Sequence, residues 1–343
     1  MQTYRKSILT VLLAALFCYV AQAKSSYPME IYSIDVEGGQ STLIISPSGQ
    51  TLLIDTGWPE KNGADRILAI ANELAIQKFD YVLITHFHHD HVGGVPDLVK
   101  KIKVGTFVDH GPNQEDSDIT RQDYAAYEKA IGGSKHIVAK PGDKIGIKGL
   151  DVTVLTSAGE HIATPLTGAG QPNPFCAGEP EWPVDRSENA YSLGTLITYG
   201  KFRFLDLGDL TKKKEAELMC PNNPIGTVDL FLVSHHGLDQ SNSKELVDAV
   251  HPRVAIMNNG GHKGGSPEAW QTVHDSPGLQ ALWQLHYAVA GGSEHNSPDD
   301  FIANTESTPD GNYIKVTADP NGTFTVWNSR NKFEKTYAPL SPH

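Results

Sequence analysis

"LITHFHHDHVGG", Leu83 to Gly94, packs four histidines and one aspartate into the six positions from His86 to His91. Imidazole and carboxylate are the donors that suit zinc and related metals in a hydrolytic site. The preceding "DYVLIT", 80 to 85, reads as a buried strand that ends at the first histidine, so the loop hangs from a rigid edge. Gly93 and Gly94 then let the chain turn tightly. His86 and His88 can point to one side while Asp90 and His91 point to another, so one loop feeds two neighbouring metals. A solvated polar turn would give no reason for so many metal-binding groups to follow a buried strand. His89 is surplus to this arrangement and is expected to point away.

Outward from this loop the pattern is that of alternating strands and helices. Residues 29–36, 41–47 and 50–57 read as a strand meander, 64–75 as a helix with Ile67, Leu68, Ala71 and Leu74 on one face, and 81–84 as a buried strand. A short helix near 96–101, a strand near 104–108, a polar excursion from 111 to 135 and strands at 136–140 and 151–155 follow. Residues 158–187 are rich in Gly and Pro and lack a period, which predicts a long loop. Then come a hairpin over 191–209, a helix over 211–219, a strand at 228–236, a helix at 243–250 and a strand at 253–259, so the second half repeats the plan of the first. A helix near 267–274, a strand around 281–288 and a hairpin closed by Pro320, Asn321 and Gly322 complete the chain. One α/β domain over 24–343 accommodates this order: an αββα sandwich of two mixed sheets with outer helices and a C-terminal β-hairpin extension.

Residues 1–23 stand apart. Arg5 and Lys6, an apolar run from Ile8 to Val20 and Ala21-Gln22-Ala23 read as a cleavable secretory signal, which predicts a secreted or periplasmic protein with no membrane span after cleavage. The chain has 28 Lys and Arg against 40 Asp and Glu; removing Arg5 and Lys6 leaves 26 − 40 = −14. An acidic surface disfavours tight binding of long nucleic acid and suits a small or short anionic substrate drawn in by local positive charge such as a metal. Beyond the signal only Cys176 and Cys220 remain. They are either two separate buried thiols or, in an oxidising compartment, a disulfide.

His86-Phe87-His88-His89-Asp90-His91 resembles the H-x-H-x-D-H signature of the metallo-β-lactamase superfamily. Four further elements stand in the matching order: "LIDTG" with Asp55, the turn at Asn189, "LDLGDL" with Asp209, and "LVSHHG" with His235 and His236. The resemblance covers roughly residues 29–260. It implies that Asp55 braces the histidine loop, that Asp209 bridges two metals, and that a histidine after the "HHG" strand completes the second metal. The residues themselves agree in part, since Asp209 follows Gly208 at a strand end, where a carboxylate between two cations offsets their repulsion. Of the two histidines, His235 comes first after the strand and is the expected ligand; His236 is then expected beside the metals or on substrate, as a proton source. The predicted set is His86, His88, Asp90, His91, Asp209, His235 and Asn189 for two zinc ions, with manganese as an alternative.

The chain departs from the superfamily at Asn189. Many members place a third histidine for the first metal about twenty residues before the bridging aspartate, and an amide is a weaker ligand than imidazole. This feature is similar to the hydrolase domain of the bacterial DNA-uptake channel and to related secreted phosphodiesterases. It leaves the first metal loosely held or absent, with His110, His136 and His161 as candidate replacements, each more readily read as a surface residue. Downstream, "NNGGHKGG", 258 to 265, places His262 and Lys263 at the same sheet edge, where a lysine suits a phosphate or carboxylate. His286 and Asp109 are further strand-end candidates. The residues expected to act in catalysis are Asp90, His236 and Lys263. No G-x-S-x-G elbow and no cysteine in a strand-to-helix turn offers a nucleophile, so the expected attack is by a metal-activated hydroxide on a phosphodiester. Lactam, lactone or thioester hydrolysis by the same hydroxide is the alternative within enzymes, and a metal- or ligand-binding protein without turnover is the alternative outside them.

Overall fold

Leu230, Phe231 and Leu232 form a strand in which every residue is buried. Extended backbone sends alternate side chains to opposite faces, so a strand buried on both sides reads as an unbroken apolar run. In the computed structural model, which describes residues 27–59, 63–176, 181–305 and 311–339, Leu230 and Leu232 share a core with Ile31, Ile44, Leu52, Leu83 and Val108. Phe231 faces the other way, onto Leu218, Met219, Leu246 and Trp270. The first half does the same: Leu53, Val82 and Phe107 pack outward against Ile67, Ala71, Tyr127 and Ile131. Two sheets therefore meet face to face with helices outside each, the αββα order expected from the sequence.

One sheet runs Glu334–Tyr337, Phe324–Asn328, Ile314–Ala318, Met29–Ser33, Thr42–Ile45, Thr51–Ile54, Lys78–Leu83, Lys103–Asp109, Lys135–Val138. The other runs Ile302–Asn304, Ala281–His286, Val254–Met257, Leu230–Leu232, Phe202–Asp206, Gly194–Tyr199, Asp151–Ser157, Lys144–Ile145. Four strands from Thr51 to Val138 are mutually parallel, as are four from Phe202 to His286. Ligands of open α/β sheets lie beyond the carboxyl ends of parallel strands. That edge here carries the His86 loop after Leu83, Asp209 after Asp206, and His235 and His236 after Leu232.

The closing hairpin is an integral part of the first sheet, with Ala318 paired to Met29 and Ile314 to Ser33, and a further strand, Glu334–Tyr337, continues it. The polar excursion expected over 111–135 contains instead a 14-residue helix, Asp118–Ile131, capped by the Ser117 side chain accepting from the Thr120 amide. The short helix near 96–101 is Val95–Leu98. The described residues of 158–187 are largely irregular, and a disulfide between Cys176 and Cys220, with Cα atoms 5.8 Å apart, ties them to the end of the helix Lys212–Met219. The expected signal segment lies outside the described residues. Among the described residues no helix is long and apolar enough to cross a membrane.

Candidate metal centre

Asp90, His91, Asp209 and His236 are buried and converge so that one donor atom from each lies within 4.8 Å of every other. His236 Nε2 is 3.0 Å from Asp90 Oδ2 and 3.4 Å from Asp209 Oδ2. His91 Nε2 is 3.4 Å and 3.2 Å from the same two oxygens, and 3.2 Å from His236 Nε2. A tetrahedral shell at the usual zinc–N and zinc–O lengths of about 2.0–2.2 Å has donor–donor edges of about 3.3–3.6 Å, a few tenths of an ångström wider than the shortest separations here, so a small outward shift would admit one divalent ion. Two ring nitrogens and two carboxylate oxygens crowded out of water are a donor set that suits a divalent cation.

Carboxylates outside the group set which ring nitrogen is free. Asp55 Oδ2 lies 2.7 Å from His91 Nδ1 and accepts from Thr85 Oγ1 at 2.6 Å, while Asp55 Oδ1 accepts from the Thr85 amide at 2.8 Å. The Nδ1–H of His91 is thereby engaged and Nε2 is turned to the centre. Glu115 Oε2 likewise lies 2.8 Å from His88 Nε2, leaving Nδ1 of His88 facing His86 Nε2 at 3.0 Å. Burial opposes charge on His91, but Asp209, Asp90 and Asp55 outweigh it and hold its pKa well above the usual value. A divalent ion held there would take the place of a proton on Nε2. Burial would raise Asp209, yet His91, His236 and His235 hold its carboxyl well below the usual range. His91, His236 and Lys263 do the same for Asp90.

Both histidines of "SHHG" adopt left-handed backbone, each with φ of 55°. Such a conformation costs a non-glycine residue about 1–2 kcal/mol and is held only where the surroundings impose it. Asn242 imposes it here: its side chain accepts from the Ser234 amide at 3.0 Å and donates to the Ser234 carbonyl at 2.9 Å. Glu215, in turn, accepts from the Asn242 and Ser243 amides at 2.9 and 2.7 Å. Gly264, at φ of +78°, lies so close to the His236 carbonyl that a Cβ there would be 2.1 Å from the oxygen.

The geometry brings His236, not the expected His235, into the converging group, because two successive left-handed residues aim the rings differently from an extended strand end. His235 Nε2 is 3.5 Å from Asp209 Oδ2 and 3.4 Å from Asn189 Nδ2; burial pushes its pKa down to about 4. His86 Nε2 is 3.9 Å from Asp209 Oδ2, so Asp209 stands between the two halves of the loop, and its Oδ1, like Asn189 Oδ1, is buried without a hydrogen-bond partner among the described residues. His88 and Asn189 lie outside the tight group. Lys263 places its ammonium on Asp90 Oδ2 and 4.7 Å from the Trp58 ring centre. His262 is exposed.

None of the candidate replacement histidines joins the centre. His110 Nε2 meets Glu188 at 2.9 Å, His136 Nε2 meets Asp109 at 2.7 Å, and His161 Nδ1 meets the Ile162 carbonyl at 3.1 Å. Asp109, bonded also by the Tyr127 hydroxyl at 2.7 Å, is thus a structural anchor. His286 pairs with Asp35 at 2.7 Å, beneath the glycine-rich loop that its carbonyl bonds through Asn259. His89 turns out to Asp123 at 2.8 Å. Sequence reasoning missed Glu115, Glu188, Glu215 and Asn242; the only local signal was the run of short polar and acidic residues in stretches read as loops.

The sequence profile described as the metallo-beta-lactamase superfamily matches residues 34–173, which include Asp55 and all of His86 to His91. The chain carries a metallo-beta-lactamase superfamily domain. Asp90 and His91 of the His and Asp cluster, a candidate metal site, fall inside the matched stretch. The chain is similar to ComE operon protein 3 of Bacillus subtilis, 26% identical over 254 residues, 67% of this chain and 28% of that protein. It is also similar to Recombination protein 2 of Haemophilus influenzae, 25% identical over 233 residues, 67% of this chain and 24% of that protein. The chain thus spans about a quarter of the length of these two relatives. Among solved structures it is similar to the metallo-beta-lactamase fold protein YhfI from Bacillus subtilis, with a TM-score of 0.46 and 15% identity, covering 75% of this chain and 96% of that one.

Proposed function

We propose that this protein is an exported phosphodiesterase that cleaves small or short anionic substrates with two zinc ions, manganese being the other metal its donors suit. The observation that carries the reading is the convergence of Asp90, His91, Asp209 and His236, with one donor atom of each within 4.8 Å of every other, and the Lys263 ammonium at its rim. The first ion would fall to His86 and His88, with Asp209 shared and Asn189 as a weak amide donor. When bound, the ions lower the pKa of a water molecule and polarise the phosphoryl oxygen.

The chain's own residues do the rest. Asp55 and Glu115 fix the tautomers of His91 and His88 and so keep the inward nitrogens free. Lys263 draws an anionic phosphoryl oxygen to the same rim. His235, uncharged at neutral pH, takes up or passes on a proton at Nε2 beside Asn189. The Cys176–Cys220 disulfide supports an oxidising compartment, as does the N-terminal sequence. One relative is named a recombination protein, which favours a substrate derived from nucleic acid; the net charge of −12 favours a short one.

The test is turnover of bis-p-nitrophenyl phosphate beside a β-lactam and a lactone, with zinc or manganese supplied and the bound metal counted. The reading expects phosphodiester turnover that Asp209→Ala abolishes. Strong lactam turnover without phosphodiester turnover contradicts the substrate. At most one ion per chain and no turnover of any substrate favours a binding protein instead.

A further inference from the structure

A cavity of about 670 Å³ adjoins the metal centre at Asn189 and is lined by Trp182, Asn189, Thr211, Lys212, Lys213 and Gln240 among others. Thr211 follows Asp209 by two residues, so the cavity begins where the centre ends. Three of its lining residues, Asp185, Asn189 and Thr211, each hold a buried side-chain oxygen with no hydrogen-bond partner among the described residues. Buried polar atoms are almost always paired, so such a group beside a cavity marks a place where a ligand's polar edge would be met. Trp182 forms a rigid wall, its indole N–H donating to Glu245 Oε1 at 3.1 Å. Lys212 stands 4.7 Å from that ring's centre and is neutralised by Glu268 at 2.8 Å. Lys213 carries its charge into the same cavity.

We propose that this cavity is the subsite for the heteroaromatic base of a nucleotide arm on the scissile phosphodiester. The base stacks on Trp182, its edge meets the Thr211 hydroxyl, and Lys213 faces a neighbouring phosphate. An apolar arm would leave the Thr211 hydroxyl unpaired, and a bare alkyl arm would leave the indole face unused. The volume is ordinary for a small-molecule site. The inference rests on the phosphodiester reading for its substrate class, but the binding of a base can be measured without turnover.

The experiment has two arms. In the first, kcat/KM is compared for thymidine 5′-(p-nitrophenyl phosphate) and methyl p-nitrophenyl phosphate, which share a leaving group and differ in the arm. The nucleotide is the better substrate for the natural chain; in Trp182→Ala the ratio between the two falls about tenfold, the usual size of one base–aromatic stack, and Trp182→Phe restores most of it. In the second, calorimetry follows thymidine 5′-monophosphate binding to the intact chain and to Trp182→Ala and Thr211→Val, whose folding is checked by melting temperature. Saturable binding weakened about tenfold in Trp182→Ala supports the subsite even if neither ester turns over, in which case the phosphodiester reading alone has failed. A substrate ratio unchanged by Trp182→Ala, or the absence of nucleotide binding to the intact chain, overturns the subsite. So does equal weakening of ribose 5-phosphate and thymidine 5′-monophosphate, which would assign the cavity to a sugar.

Discussion

Replacing Asp55 with Asn isolates the brace on His91 with little disturbance of the backbone. Asp55 sits at φ of 59°, a conformation that Asn tolerates better than other side chains, so the substitution adds no strain. The Asn carbonyl can keep the bond from the Thr85 amide, now at 2.8 Å. Its NH2 then faces His91 Nδ1, where Asp55 Oδ2 stood at 2.7 Å. A donor opposite Nδ1 requires a lone pair there and moves the imidazole proton to Nε2, the nitrogen aimed at Asp209 and His236. Loss of such an orienting carboxylate weakens metal binding about 10–100-fold, or about 1.4–2.7 kcal/mol. The assay is competition for zinc between the protein and a chromogenic chelator, with a melting curve of the stripped protein as a check on folding. Unchanged zinc affinity in a folded Asp55→Asn chain would refute the reasoning that this carboxylate selects the tautomer.

Glu215 supplies a pH signature. Burial pushes its pKa up to about 7 from 4.5, so the folded state holds a proton that the unfolded chain gives up; stability from this group is full below about pH 4.5 and is lost as pH rises through about 7, by at most ~3 kcal/mol at 1.36 kcal/mol per unit. In urea unfolding of the stripped protein, Glu215→Gln is therefore expected to gain on the natural chain between pH 5 and 8, and a constant difference would contradict the shift. Gly264→Ala would set a methyl 2.1 Å from the His236 carbonyl oxygen; the expected result is a lowered melting temperature with weakened metal binding, and a neutral substitution would show that the loop does not fix His236. Opening the disulfide frees a loop of 44 residues, for which chain entropy predicts a loss of about 4 kcal/mol; unfolding of Cys176→Ser and Cys220→Ser in urea measures it, and thiol titration of the natural chain should find no free pair.

The order of layers was legible because parallel strands such as Leu230–Leu232 and Val254–Met257 are buried on both faces and so write themselves as apolar runs. The metal loop was legible because its donors sit together in the chain. The helix Asp118–Ile131 escaped because its exposed face, with Arg121, Gln122 and Glu128, masks an apolar stripe of few residues, Tyr124, Tyr127 and Ile131; the Ser117 cap and Gly132-Gly133 were the signals available. The choice between His235 and His236 could not be read locally, since it turns on two left-handed residues held by Asn242 and Glu215 from other elements. Glu115 was invisible for the same reason: it meets His88 from 27 residues away.

The most direct test of the centre is calorimetric titration of zinc into the stripped natural chain and into His236→Ala and His235→Ala. The tightest binding event should survive in His235→Ala and disappear in His236→Ala, as the convergence of Asp90, His91, Asp209 and His236 requires. Tight binding retained in His236→Ala but lost in His235→Ala would contradict the account.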